Sequence, residues 1–278
     1  MEEIKTEKVA ITQEFSQTQS ITFEGFAKSQ QIITDITNGQ CGTLGRPDCP
    51  VCHGKGFIFK DDLDTLTRVP VWCDCVRGPQ AERWAELSGN PRLKEQTLDR
   101  LEEYAPWVAS LKKKAFDYVE HIRQGSSGWW YLSGQSGCGK THTCSGIFLE
   151  LMKQGKRGEY ASWGKTMRKL SQAKFKGDVY ESIYNRLVNT PLLYWDDFFK
   201  KRAGRTPTDD EFDFSFEIIN ERYNDPDKIT LFSSEIHIQN VVSNFDEATG
   251  GRIYERCDNG GFWTHVDADP NKNYRTKI

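Results

Sequence analysis

Gly134-Gln-Ser-Gly-Cys-Gly-Lys-Thr141 fits the spacing G-x-x-x-x-G-K-[ST] at every fixed position and follows the apolar run Trp129-Trp130-Tyr131-Leu132. Strand, loop and helix thus come in the order a phosphate-binding loop requires. Gly134, Gly137 and Gly139, with Ser136 and Cys138 between them, let backbone N–H groups turn inward around a β-phosphate. Lys140 places a cation on the β and γ oxygens, Thr141 offers its hydroxyl to Mg2+, and His142 follows directly. The chain reads as binding a nucleoside triphosphate.

Further along, Leu192-Leu193-Tyr194-Trp195-Asp196-Asp197 is an apolar strand ending in two acids. We assign Asp196 to Mg2+ and Asp197 to the attacking water; a helix N-cap is the competing use of such a pair. A third apolar run, 229–234, ends in Ser233-Ser234, polar groups placed to reach the γ-phosphate region. In Gly250-Gly251-Arg252-Ile253-Tyr254-Glu255-Arg256 two arginines stand one helical turn apart. Offered to a neighbouring subunit's γ-phosphate, Arg256 would stabilise transition-state charge in trans; surface salt bridges compete for it.

A second chemistry belongs to cysteine. Cys49-Pro-Val-Cys52 and Cys73-Asp-Cys75 supply four soft ligands, which suits tetrahedral Zn2+. Between them, Phe57-Ile58-Phe59 and Val69-Pro70-Val71-Trp72 alternate like hairpin arms that would bring the pairs together. Cys41 competes as a fourth ligand and His53 is a weaker rival. A redox role for Cys49 and Cys52 would leave Cys73 and Cys75 unexplained. The remaining cysteines, Cys138, Cys144 and Cys257, are scattered. In a reducing compartment this clustering fits metal binding better than disulfides.

Lys165, Arg168, Lys169, Lys174 and Lys176 lie within residues 164–177 with no acid among them, beside Trp163 and Phe175. The chain's net charge is -3, so nucleic acid would have to be met by a local patch of this kind. Cations beside aromatics suit sequence-tolerant binding of single strands, with a solvated helix face as the alternative. Lys200, Lys201, Arg202 and Arg205 form a second cluster after the acidic pair.

These residues need a scaffold. Trp107, Leu111, Ala115, Tyr118, Val119 and Ile122 repeat at helical spacing ahead of the phosphate-loop strand, and residues 140–153 should form the helix after it. Strands are expected at 158–163, 191–195 and 228–233, separated by helical stretches: the βαβ rhythm of a parallel sheet in an α/β fold. The organisation read from the 278 residues is an arm at 1–38, a zinc-binding module at 39–77, a helical linker at 78–105 containing a helix at 93–104, and an ATPase domain at 106–278. No apolar run approaches membrane-spanning length, and the charged start lacks a signal-peptide core, so we expect a cytoplasmic protein with no membrane partner.

The order GQSGCGKTH, LLYWDDFF, FEIINERYND, ITLFSSE and GGRIYERC resembles the ATPase domain of the DnaC-type helicase loaders, a bacterial and phage branch of the AAA+ ATPases. The resemblance runs from about residue 107 to the end. It implies an AAA+ P-loop NTPase domain that binds ATP and Mg2+ through Lys140 and Thr141, with Asp196 and Asp197 as the second acidic motif and Arg256 as a trans-acting finger. Asn273-Tyr274-Arg275 resembles the family's final sensor arginine, which assigns Arg275 to nucleotide in cis. The implied function is loading a hexameric replicative helicase onto single-stranded DNA in replication initiation, with self-association through the ATPase domain and partner docking through the zinc-bearing end. A phage origin fits the compact layout. One departure is Ser233-Ser234-Glu235, where the family usually carries Ser-Asn. An ionised glutamate only accepts hydrogen bonds, so sensing would rest on Ser234 or hydrolysis would be slow. Two rival functions stand beside the loader: a transposition helper on duplex DNA, and a nucleotide-gated adaptor that does not hydrolyse.

Overall fold

The computed structural model describes residues 46–62, 67–73, 75–76, 90, 92–201, 206–244, 246–258 and 261–274. The chain forms two compact units, Met1–Val76 and Arg77–Ile278. The arm expected at 1–38 and Cys41 lie outside the described residues, as do Arg202, Arg205 and Arg275.

In the smaller unit β1 (Phe57–Asp62) pairs antiparallel with β2 (Thr67–Trp72), in the register Phe57↔Trp72 to Asp62↔Thr67. The hairpin inferred from alternation is therefore present, and its open end carries both cysteine pairs. Among the described residues, Cys49, Cys52 and Cys73 form the buried hydrophobic cluster there, with Ile58 and Cys75 packed against them. Burial on that scale cannot offset the conformational entropy of ordering the segment.

The larger unit is built on a five-stranded parallel sheet in the order β4-β5-β6-β3-β7. Its elements are α1 (Pro106–Arg123), β3 (Trp130–Gly134), α2 (Lys140–Lys153), β4 (Gly158–Ser162), α3 (Trp163–Ala173), α4 (Gly177–Asn189), β5 (Leu192–Phe198), α5 (Asp209–Tyr223), β6 (Ile229–Ser234), α6 (Ile238–Asn244), α7 (Glu247–Asp258) and β7 (Trp263–Val266). Strands β3 and β6 are buried along their whole length, as expected where helices cover both sheet faces. One core packs α1 and α2 against Trp130, Leu132, Tyr194 and Leu231. The other packs α3, α5 and α7 against Tyr131, Leu193, Trp195 and Phe232. Helix α5 begins with a capping box, Thr208 and Glu211 bonding each other's backbone N–H, and its first turn is acidic. No helix among the described residues is long and apolar enough to cross a membrane.

Two sequence expectations change. Of the helix expected at 93–104, only the 3-10 turn Leu93–Glu95 forms. Side chains take the carbonyls a helix would use: His142 bonds Thr97 O at 2.9 Å, and Lys112 bonds the carbonyls of Asp99 and Leu101. Leu93, Leu98 and Leu101 are buried, and Leu98 lies where a Cβ on Gly146 of α2 would clash at 2.7 Å. A mid-helix glycine, which costs about 1 kcal/mol against alanine, thus admits the segment to the core. Residues 92–101 pack as part of the larger unit, with Leu93 and Leu98 in its core. The second change is β7, whose short run Trp263–Val266 completes the sheet beside β3 although its sequence alternation is weak.

Candidate nucleotide and metal sites

Gly137 and Gly139 both hold positive φ, +82° and +87°, so the loop between β3 and α2 folds back on itself as a phosphate cradle must. It opens on a cavity of about 230 Å³ lined by Ser136, Gly137, Gly139, Lys140, Thr141 and His142 on one side. Gln96, Leu101 and Tyr274 close another side, and Asp197, Lys200 and Glu235 a third. Lys140 is 7% exposed, and its ammonium donates to the carbonyls of Gly134 at 2.9 Å and Gln135 at 2.8 Å. Those are bonds a phosphate oxygen can replace without moving the backbone. Cys138 turns into the core and gives the loop only its backbone; burial pushes its thiol pKa up.

Asp196 sits at the end of β5, 7% exposed. It accepts from Thr141 Oγ1 at 3.3 Å, Tyr160 Oη at 2.9 Å, Tyr194 Oη at 2.9 Å and the Ser233 hydroxyl. Burial, and next the Asp196 charge, push both tyrosines well above their ordinary pKa, so they remain hydroxyl donors. The pairing Thr141–Asp196 is the oxygen donor set a phosphate-bound Mg2+ needs. Tyr160 and Tyr194 give no sequence signal, because only the β4–β5 register Tyr160↔Tyr194 and Ser162↔Asp196 sets Tyr160 beside Asp196.

Successive strand residues normally face opposite ways. Here the β5–β6 register shifts between Trp195 and Phe198, and Asp197 adopts φ +53°. This bulge lets Asp197 line the cavity although Asp196 already points to Thr141. The pair is not a helix N-cap. Asp197 is engaged by Lys200 Nζ at 3.2 Å, and the same ammonium reaches Glu235 at 3.0 Å. Lys201 pairs with Glu211 at 2.5 Å. The described half of the second basic cluster therefore serves ion pairs near the cavity.

Ser234 is fully buried; its hydroxyl donates to Phe198 O at 2.8 Å and accepts from Ile236 N. The residue of that turn that faces the cavity is Glu235. At the chain end, Tyr274 N donates to Gly137 O at 2.8 Å, and a Cβ on Gly137 would meet Asn273 Oδ1 at 1.9 Å. The C-terminal segment thus straps over the phosphate loop, next to where Arg275 begins. Arg256 lies at the other end of the sheet. Its Nη2 donates to the carbonyls of Pro226 and Lys228, each at 2.9 Å, and its guanidinium covers the Trp129 ring.

The four cysteine Sγ atoms of Cys49, Cys52, Cys73 and Cys75 lie within 4.8 Å of one another. Cys49–Cys73 is 3.7 Å and Cys52–Cys75 is 3.4 Å, against about 3.8 Å for two sulfurs on one tetrahedral Zn2+. Cys52 also accepts from Gly56 N at 3.3 Å, which orients its sulfur. The Cys52 and Val51 backbone N–H groups pull the Cys49 thiol down to about 6, while burial pushes Cys75 up to about 12. His53 stands outside this donor set.

Helices α3 and α4 both lie between β4 and β5. Their connection carries Lys174-Phe175-Lys176, with the Phe175 ring 94% exposed and Val179 also exposed. Arg168 and Lys176 are exposed; Lys165 and Lys169 line a second cavity, about 200 Å³, with Arg186. Lys174 is paired with Asp210 at 2.7 Å. Arg186 is paired with Glu159 at 3.2 Å, and burial raises the Glu159 carboxyl.

No protein-family model matches the chain, and no curated protein matches it by sequence. Solved structures do. The chain superposes on a DnaC helicase loader with a TM-score of 0.53 at 18% identity, over 65% of this chain and 100% of that one. The larger unit has the DnaC-like AAA+ fold. AMPPCP-bound DnaA from Aquifex aeolicus matches at TM-score 0.50 and 20% identity, over 67% of this chain and 53% of that one. Domain III of the Thermotoga maritima replication initiation protein DnaA matches at 0.50 and 18%, over 66% and 70%. At such identities the likeness is one of fold, and the cysteine cluster of the smaller unit fits zinc.

Proposed function

We propose that this protein is an ATP-dependent loader that places a replicative DNA helicase on single-stranded DNA when replication initiates. The observation that carries this reading is a single DnaC-like unit that joins a phosphate cradle and paired acids to an exposed Lys-Phe-Lys tip. Lys140 exchanges its carbonyl partners for phosphate oxygens, while Thr141 and Asp196 hold Mg2+. Bound Mg2+ supplies the charge that offsets the phosphates. Asp197 orients the attacking water, and Arg275 contacts nucleotide from the same subunit. Arg256 acts in trans only if a neighbouring subunit draws it from the Pro226 and Lys228 carbonyls. Phe175 stacks on a base while Lys165, Arg168, Lys169 and Lys176 meet phosphates; Lys174 contributes less, being paired with Asp210. Cys49, Cys52, Cys73 and Cys75 hold Zn2+, which fixes the end that docks on the helicase.

The test is the mass of complexes formed with a hexameric replicative helicase, in ATP and then in ADP. A nucleotide-sensitive complex lost on removing residues 1–76 supports the loader. No complex in either state shifts the reading to a transposition helper, with duplex DNA the next partner tried. The Asp197–Lys200 pair favours one second reading, a nucleotide-gated adaptor with little turnover. Absence of phosphate release with and without single-stranded DNA, despite tight ATP binding, would select it.

A further inference from the structure

Asp197 and Glu235, both bridged by Lys200, put two carboxylates on one wall of the nucleotide cavity, and a triphosphate seated on the phosphate loop would extend its terminal phosphate toward the strand ends that carry them. Carboxylates only accept hydrogen bonds, and so do phosphate oxygens, so that wall alone would repel the ligand. Lys200 stands between them, 3.2 Å from Asp197 Oδ1 and 3.0 Å from Glu235 Oε1. With Lys140 it is one of the two lysines that line the cavity.

Its position is built rather than incidental. Phe198 and Phe199 are both buried, their rings stacked at 4.1 Å, and Phe199 also packs edge-on against Trp163 and Phe212. Phe199 holds φ +58°, a conformation costly for a bulky side chain and tolerated because the ring is locked in the core. Lys200 N then bonds Asp197 O at 3.0 Å, a tight turn that directs the lysine back over the strand ends. Glu235 is fixed in its turn by the Ser234 hydroxyl, which ties β6 to the Phe198 carbonyl.

We propose that Lys200 is the cation for the terminal phosphate, held ready by Glu235 and Asp197, and that it makes the site distinguish ATP from ADP. This rests on the nucleotide reading of the cavity and names a residue that reading leaves without a task. When the triphosphate enters, the ammonium moves from shared carboxylates to a phosphate oxygen, and the diphosphate leaves it where it is. Glu235 serves as the lysine's holder, which gives the carboxylate a use at a place where it cannot itself donate.

The experiment is calorimetric titration of wild type, Lys200→Met and Glu235→Gln with Mg-ATP and Mg-ADP. Lys200→Met should weaken ATP about tenfold or more, the loss of one charge-assisted hydrogen bond, with ADP affinity changed by less than about twofold. Glu235→Gln removes the competitor for the lysine while keeping its shape, and should strengthen ATP relative to ADP. An ATP to ADP ratio unchanged in Lys200→Met, or equal loss of both nucleotides, overturns the proposal. Wild type that binds neither nucleotide overturns the nucleotide site itself, so the two failures are told apart.

Discussion

The two metal-competent regions of this chain are organised in opposite ways. Around the phosphate loop, Asp196 is held by Thr141, Tyr160, Tyr194 and Ser233 inside a sheet whose two faces are packed with aromatic and aliphatic cores. The folded sheet itself shapes that site, so any nucleotide or Mg2+ it took would be a visitor. Around Cys49, Cys52, Cys73 and Cys75 the ligands themselves make up the buried hydrophobic cluster among the described residues. There the metal would be the core. The difference teaches that similar donor chemistry can be either a product of folding or its cause, according to how much apolar surface surrounds it.

Removing metal should separate the regions most sharply. A chelator should unfold the cysteine unit, since structural Zn2+ contributes on the order of 10 kcal/mol to so small a fold, while the larger unit melts as before. Calorimetry with and without chelator reads this directly, and a cysteine unit that kept its transition would end the contrast. The reverse experiment targets Arg222. This residue is fully buried and donates to Thr230 and to the carbonyls of Leu187, Val188, Thr190 and Ile229, with no carboxylate among them. Burial lowers its pKa to about 9. Arg222→Met would leave several buried carbonyls unpaired and should cost the larger unit at least about 3 kcal/mol, seen in denaturant melts, without altering zinc content.

Smaller effects concern function on an intact scaffold. Lys140→Ala should weaken nucleotide binding by about 10- to 100-fold, measured by displacement of a fluorescent nucleotide, with near-native melting. Unchanged affinity would remove the lysine from the site. Phe175→Ala should cost about 1–3 kcal/mol in single-stranded DNA affinity and nothing in stability, because the ring is solvent-exposed. Affinity for single strands should also fall steeply with salt; a flat response would argue against phosphate contacts by α3 and α4.

Arg222 and Phe175 show how far residue types reveal use. Arg222 stands in the Ile-Asn-Glu-Arg-Tyr segment that marked the resemblance, and the structure gives it an architectural task, joining α4, α5 and β6. Arg256, read as a finger, spends its hydrogen bonds on its own subunit's carbonyls. Lys200 and Lys201, grouped by sequence as a basic cluster, are ion-paired with three carboxylates. Local charge runs could not distinguish these cases, because a partner many residues away decides whether a cation is free.

What the sequence determined by itself was local. Fixed spacing gave the phosphate loop, since its glycines and lysine act within one turn of chain. Close cysteine pairs on hairpin arms gave the four-cysteine cluster, and the helix at 140–153 and the strand expected at 191–195, which forms as Leu192–Phe198, followed from periodicity. Tertiary structure alone decided the rest. The β-bulge turned Asp197 toward the cavity, and β4–β5 register delivered Tyr160 to Asp196. Packing of Leu98 on Gly146 drew 92–101 into the larger unit, and the turn after β5 set Lys200 between two carboxylates. These are contacts across the sheet, where register and packing select partners that spacing along the chain does not encode.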